Sequence, residues 1–194
     1  MNINTYSQYF AIQVLKIDTK FKQYMYNLPI VVLGSILLTL SSKTSFVLPF
    51  TYVPVTMQTF AVLFLSIVFG RKAVYMVGMY ILEGILGLPV FAKGGGLMYL
   101  FGPTGGYIIG FLVASYVCGL LSEYGVSKSF LKTLFVMIIG NLLIYLFGIM
   151  GLLPYTNFNF SKAVMLGVTP FVLGDILKIF ILALILPTGW KLIK

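Results

Sequence analysis

Asp175 and Lys178 stand three residues apart inside TPFVLGDILKIFILALILP, an apolar stretch running from Thr169 to Pro187. An Asp or a Lys at the centre of a membrane-crossing helix costs about 2.5–3.5 kcal/mol, so residues of this kind persist where they have a task. Positions i and i+3 share a helical face, with Cβ atoms about 5–6 Å apart. The pair can neutralise itself and lock helices together, or it can bind a polar ligand. Of the other acids, Asp18, Glu83 and Glu123, only Glu83 also falls inside an apolar run. Glu83 is a second candidate, with structural pairing to a Lys or a hydroxyl as its alternative.

Further candidates come from two loops. GLPVFAKGGGLMYLFGPTGGY, residues 87–107, has glycines that permit turns and two prolines, Pro89 and Pro103, that end or start helices. A structured re-entrant loop is expected, because Phe91, Leu97, Met98, Leu100 and Phe101 would otherwise expose apolar surface. Thr104 then precedes a helix start at Gly105, Gly106 and Tyr107, where free N–H groups and a hydroxyl can hold a ligand. The loop SSKTSFVLPFTYVPVTMQTF carries Pro49, Pro54 and Gln58. Together the loops could cover an outward-opening cavity walled by Phe50, Tyr52, Tyr80, Tyr107 and Tyr145. A plug that merely closes a bundle is the alternative.

The residue inventory narrows the chemistry. The chain has no histidine, which removes histidine-based triads and histidine metal sites. It has no G-x-x-x-x-G-K-[ST] loop, so it is not itself the ATPase of a pump. An intramembrane aspartyl protease needs two carboxylates sharing a proton; Lys178 beside Asp175 would instead keep that carboxylate ionised. Cys118 is the single cysteine and forms no internal disulfide. No catalytic residue, metal or cofactor is expected.

The positioning elements are membrane helices. The 194 residues are 60% hydrophobic and 9% charged, with a mean hydropathy of +1.04, far from soluble composition. Charge-poor runs long enough for a hydrocarbon crossing, about 20 residues, predict six helices, near 26–42, 53–70, 73–90, 105–122, 130–153 and 167–187. Backbone groups in lipid must be paired internally, and the runs are too long for barrel strands. The expectation is an all-α, single-domain bundle over residues 1–194.

The net charge of +9 is a matter of topology rather than nucleic-acid binding, since no basic stripe is interleaved with exposed aromatics. Lys16, Lys20, Lys22, Arg71, Lys72, Lys128, Lys132, Lys191 and Lys194 fall on one side and only Lys43, Lys93 and Lys162 on the other, which puts both termini in the cytoplasm. No cleavable signal peptide is expected. Residues 1–25 instead suggest an interfacial helix, with Tyr6, Phe10, Val14, Ile17 and Phe21 opposite Lys16 and Lys20; a partly ordered tail is the alternative.

Four segments in order, PVTMQTFAVLF at Pro54–Phe64, EGILGLPVFA at Glu83–Ala92, GPTGGYIIGF at Gly102–Phe111 and GDILK at Gly174–Lys178, make the chain resemble the BioY family, the biotin-binding S components of energy-coupling-factor (ECF) transporters. The resemblance spans residues 30–190. It implies a six-helix subunit of a prokaryotic cell (inner) membrane that captures biotin outside, while a transmembrane T subunit and two ATPases drive delivery. Biotin offers an apolar bicycle with a ureido group, a tail and a carboxylate, so its site should be apolar with a few placed polar groups. Asp175, Lys178, Glu83, Thr104, Gly105, Tyr107, Gln58, Phe91, Tyr80 and Tyr145 are the binding candidates. Asp175 can accept a ureido N–H; Lys178 can neutralise the carboxylate or orient Asp175.

S components are similar in carrying an A-x-x-x-A face on the first helix for docking to the T subunit. Here PIVVLGSILLTLSS offers Ser35 and Thr39 at that spacing, with Gly34 adjacent; these are the docking candidates. An S component for another vitamin, such as riboflavin, is the alternative within transport. A membrane enzyme and a purely structural membrane protein are the alternatives outside it.

Overall fold

The computed structural model describes residues 4–15 and 20–193. The described chain is mostly helical, with α1 (Tyr6–Tyr9), α2 (Lys20–Lys43), α3 (Gln58–Phe69), α4 (Ala73–Ile85), α5 (Gly105–Ser122), α6 (Phe130–Leu152), α7 (Phe160–Gly167) and α8 (Thr169–Ile193). Among the described residues, five stretches are long and apolar enough to cross a membrane, one of them Gln58–Ile85. That stretch is not one straight rod. In a continuous helix Gln58 and Tyr80 would lie about 33 Å apart, yet the Gln58 amide donates to the Tyr80 hydroxyl at 2.7 Å. A short turn at Gly70–Lys72 folds α4 back along α3.

Both helices are shorter than the sequence predicts. Pro54 and the extended Val55–Thr56 stop α3 from starting at residue 53, and the Gly84–Gly87–Pro89 run stops α4 before residue 90. The all-α expectation also misses a two-stranded antiparallel ladder, β1 (Ser45–Phe46) and β2 (Val55–Thr56), in register Ser45 with Thr56 and Phe46 with Val55. Three β-prone residues in the ladder, Phe46, Val55 and Thr56, explain it. Its consequence is functional, because it fixes Thr56 immediately before α3.

The centre of the bundle is the α5–α6 pair. A Cβ on Gly106 would meet the Phe147 carbonyl at 2.2 Å, and one on Gly151 would meet the Gly106 Cα at 2.7 Å, so only glycine allows these backbones to approach as they do. Leu38, Val62, Met76, Val77 and Ala114 form a buried core beside them, and Leu63, Ile67, Met137 and Leu182 a second. By contrast α2 exposes Val32, Leu33, Ile36, Leu37 and Leu40, and α8 exposes Leu173, Ile176, Leu177 and Leu184. Apolar faces of that extent suit lipid and not water; the chain is a multi-pass membrane protein.

Near the N-terminus α1 is capped by Thr5 and Gln8 in a reciprocal capping box and continues as a π turn over Phe10–Val14. It sits against the far end of α8: the Tyr6 and Trp190 rings are 4.6 Å apart, and the Trp190 indole donates to the Ser127 hydroxyl at 2.8 Å. Tyr6 therefore faces protein, while Phe10 and Val14 are exposed. Of the remaining residues expected on this helix, Lys16 and Ile17 lie outside the described residues, as do the side chains of Lys20 and Phe21.

Candidate functional site

Asp175 sits in the second turn of α8, where Pro170 near the start of the helix costs no internal backbone bond. Its side chain is 4% exposed. Such a carboxylate needs partners, and three elements supply them. From α8 itself the Lys178 ammonium donates to Oδ1 at 2.9 Å. From α3 the Thr59 hydroxyl donates to Oδ1 at 2.8 Å. From α6 the Tyr145 hydroxyl donates to Oδ2 at 2.7 Å. Lys178 also donates to the Thr56 carbonyl at 2.8 Å and to the Thr59 hydroxyl oxygen at 3.0 Å.

The donor inventory assigns different parts to the two charges. An ammonium has three N–H donors, and Lys178 directs them at Thr56, Thr59 and Asp175. An ionised carboxylate has about four acceptor sites, and Asp175 fills three of them with Thr59, Lys178 and Tyr145. Asp175 therefore keeps capacity for one further N–H, whereas Lys178 can receive an anion only by giving up a bond it already makes.

These groups face a cavity of about 540 Å³ of empty space, its open mouth included. Val53, Pro54, Thr56, Gln58 and Thr59 line it from the segment leading through β2 into α3, Tyr80 from α4, and Phe91, Ala92, Tyr99 and Thr104 from the 86–104 loop. The far wall is Tyr107, Ile108 and Phe111 of α5, Ile144 and Tyr145 of α6, and Phe171, Asp175 and Lys178 of α8. Phe91 is fully buried, edge-on to Tyr80 at 5.3 Å and stacked on Tyr99 at 4.8 Å between ring centroids. Tyr107 donates to the Gly167 carbonyl at 2.5 Å, tying the start of α5 to the α7–α8 junction. The Thr104 hydroxyl makes no capping bond to its helix, so it is not committed to the backbone there.

Of the residues singled out by sequence, Asp175, Lys178, Thr104, Tyr107, Gln58, Phe91, Tyr80 and Tyr145 come together around this cavity. Glu83 does not: it points at α2 and accepts a hydrogen bond from the Ser35 hydroxyl. Gly105 is buried against the Leu100 carbonyl, and its N–H is taken by the Gly102 carbonyl at 3.0 Å, so it is not the free donor expected. Phe50 and Tyr52 are exposed and form no wall; Leu97, Met98 and Phe101 are exposed as well. Gly34 and Ser35 are buried, a Cβ on Gly34 meeting Met76 at 2.5 Å. That face of α2 packs on α4 and is closed to a partner; Thr39 is half-buried.

Sequence reasoning missed Thr56, Thr59, Tyr99 and Phe171. One signal existed for the threonines: they repeat the i, i+3 spacing of Asp175 and Lys178, beside Gln58, at the mouth of an apolar run.

The BioY family model matches residues 16–194. Biotin transporter BioY2 of Lactococcus lactis is 37% identical over 171 residues, covering 83% of this chain and 91% of the relative. Biotin transporter BioY of Thermotoga maritima is 40% identical over 140 residues, covering 71% and 81%. A crystal structure of the S-component for biotin from an ECF-type ABC transporter superposes with a TM-score of 0.78 over 90% of this chain and 95% of that one, at 20% identity; at that identity the likeness is one of fold. With nearly the whole chain matched by the family model and the second relative agreeing over two thirds of it, the chain belongs to the BioY family.

Proposed function

We propose that this protein takes up biotin, as the substrate-binding S component of an ECF-type transporter. The observation that carries the reading is the buried Asp175 clamp in an aromatic-walled cavity: an acceptor with one place left, fixed by Lys178, Thr59 and Tyr145. That place suits a ureido N–H of biotin, in a charge-assisted hydrogen bond. Phe91, Tyr80 and Tyr99 give the bicycle apolar contact. Because Lys178 is committed inside the protein, Asp175 and Lys178 serve one end of biotin, and the tail carboxylate lies toward Thr104 and the Gln58–Tyr80 pair. Ligand is bound without chemical change; the chain is not an enzyme, holds no cofactor and has no nucleic-acid partner.

In this reading residues 1–194 form one domain that crosses the prokaryotic cell membrane six times, the folded-back α3–α4 stretch counting twice. An even number of crossings agrees with the packing of α1 on α8, which brings Tyr6 and Trp190 to the same end of the bundle; the lysine bias makes that end cytoplasmic. A T subunit and two ATPases supply the energy. With Gly34 and Ser35 turned inward, a T subunit meets the Val32–Leu33–Ile36–Leu40 face of α2.

Equilibrium binding to the purified, detergent-solubilised chain tests the proposal, with riboflavin as control and the carboxylate-capped biotinamide as probe of orientation. Saturable one-to-one biotin binding, no riboflavin binding, and a loss for biotinamide smaller than for a ring-altered analogue are expected. A folded protein that ignores biotin would sink the reading. A preference for riboflavin would replace it with the other vitamin.

A further inference from the structure

From sequence, Lys43 is an outer-side charge with Ser42 beside it. Both are the last residues of α2, and both reach 48 positions along the chain to consecutive carbonyls of the 86–104 loop. The Ser42 hydroxyl, fully buried, donates to the Val90 carbonyl at 2.5 Å, sharing its proton with the Thr39 carbonyl at 2.7 Å. The Lys43 ammonium donates to the Phe91 carbonyl at 2.7 Å. A lysine ending a helix is favourably placed against the helix dipole, but a charge needed only for topology would leave its ammonium in water.

The loop needs such an anchor. Leu86, Leu88, Leu97, Met98 and Phe101 are all exposed, so only Val90 and Phe91, with Tyr99 and Leu100 packed beside them, hold the segment by apolar burial. The Phe91 ring lies over Gly84, where a Cβ would come within 2.0 Å of it, and it forms cavity wall between Tyr80 and Tyr99. Backbone bonds from Gly96 to the Gly84 carbonyl at 2.6 Å and between Phe91 and Gly94 close the loop on itself and on α4. Among the described residues, only the two α2 side chains tie the Val90–Phe91 backbone to another spanning helix.

We infer that Ser42 and Lys43 are positioning residues for the cavity: they fix the Val90–Phe91 backbone so that the Phe91 ring stays in the wall, and thereby set how long a ligand is retained. Neither lines the cavity, so they act on escape rather than on encounter. The retention readout rests on the biotin reading; the geometry does not.

The experiment compares Ser42→Ala, Lys43→Met and Lys43→Arg with the unaltered full chain, by biotin association and dissociation rates and by amide hydrogen exchange without ligand. Removing the donor from the buried Val90 carbonyl should speed dissociation about tenfold, and removing the more exposed lysine about threefold, with association within twofold. Lys43→Arg, which keeps a donor and the charge, should restore the rate. Exchange should quicken about fivefold in residues 86–101 and stay unchanged in 105–122. Unaltered dissociation and exchange in Lys43→Met, or exchange quickened equally everywhere, would overturn the inference. If the unaltered chain does not bind biotin, the function proposed above fails, and the exchange pattern alone decides whether these residues hold the loop.

Discussion

Asp175→Asn changes one atom and separates the ligand role of the clamp from its structural role. The asparagine carbonyl can keep the bonds from Thr59 and Lys178 that Oδ1 now accepts at 2.8 and 2.9 Å. The amide nitrogen then replaces Oδ2, and a donor faces both the Tyr145 hydroxyl, now 2.7 Å away, and the ligand N–H. The ligand loses a hydrogen bond to a charged acceptor, about 1.5–3 kcal/mol, or a 12- to 160-fold weaker Kd. Folding suffers separately. Lys178, with its side chain 13% exposed, keeps a buried charge without its counter-ion, and removing one partner of a buried pair costs about 3–5 kcal/mol. Adding Lys178→Met removes that charge, and stability should return toward the starting value while affinity stays low. Titration with biotin beside thermal unfolding in the same detergent measures both. A folded Asp175→Asn protein with affinity within twofold of the original would refute the assignment, and recovery of affinity in the double variant would show that the charge pair matters only for folding.

Two other outcomes follow from the packing. Gly84→Ala places a methyl where the Phe91 ring now lies, 2.0 Å from its nearest atom; the ring must leave the wall, and biotin affinity should fall at least tenfold, roughly the loss of an aromatic contact in a binding cavity, whereas unchanged affinity would show that Phe91 does not shape the site. At the other end of the chain, burial raises the Tyr6 phenol above its ordinary value of 10.0, so the docked α1 holds that proton longer than a free segment does. Its contribution is constant below about pH 10 and falls as pH rises further. The fluorescence of Trp190, the single tryptophan, should report this loosening, and a Tyr6→Phe protein showing the same alkaline transition would assign it elsewhere.

How much of this was legible depends on whether a residue's meaning lies in its own helix or in its neighbour. Asp175 and Lys178 could be read because their shared face is a property of one helix, and their cost in lipid of one residue type. Glu83 carried the same cost, and of its two readings the structure shows the pairing to a hydroxyl, since the helix turns by about 100° per residue. Three positions after Tyr80, Glu83 lies about 60° around α4; Tyr80 faces the cavity while Glu83 faces Ser35 on α2. Nothing in the α4 sequence says which of the two directions is the cavity. The same ambiguity reversed the α2 assignment: small residues at Gly34 and Ser35 permit close approach, but whether to another chain or to Met76 of the same chain is decided by the α2–α4 packing. Thr56 and Thr59 illustrate the opposite failure. A threonine in an apolar run is inexpensive and common, and it gains meaning only when β2 and α3 are brought against α8.

That dependence on neighbours also explains why the clamp is built as it is. Thr59 and Lys178 bind the same Asp175 oxygen and each other, and Tyr145 arrives from a third helix, so α3, α6 and α8 are joined at one carboxylate. A ligand N–H arriving at the remaining acceptor position adds to this arrangement without displacing any member of it. A ligand carboxylate arriving at Lys178 would have to break a bond to Thr56, Thr59 or Asp175, and would set two carboxylates beside one ammonium. In the proposed reading a neutral, N–H-bearing end of the ligand meets Asp175, and the anionic end lies away from the committed Lys178.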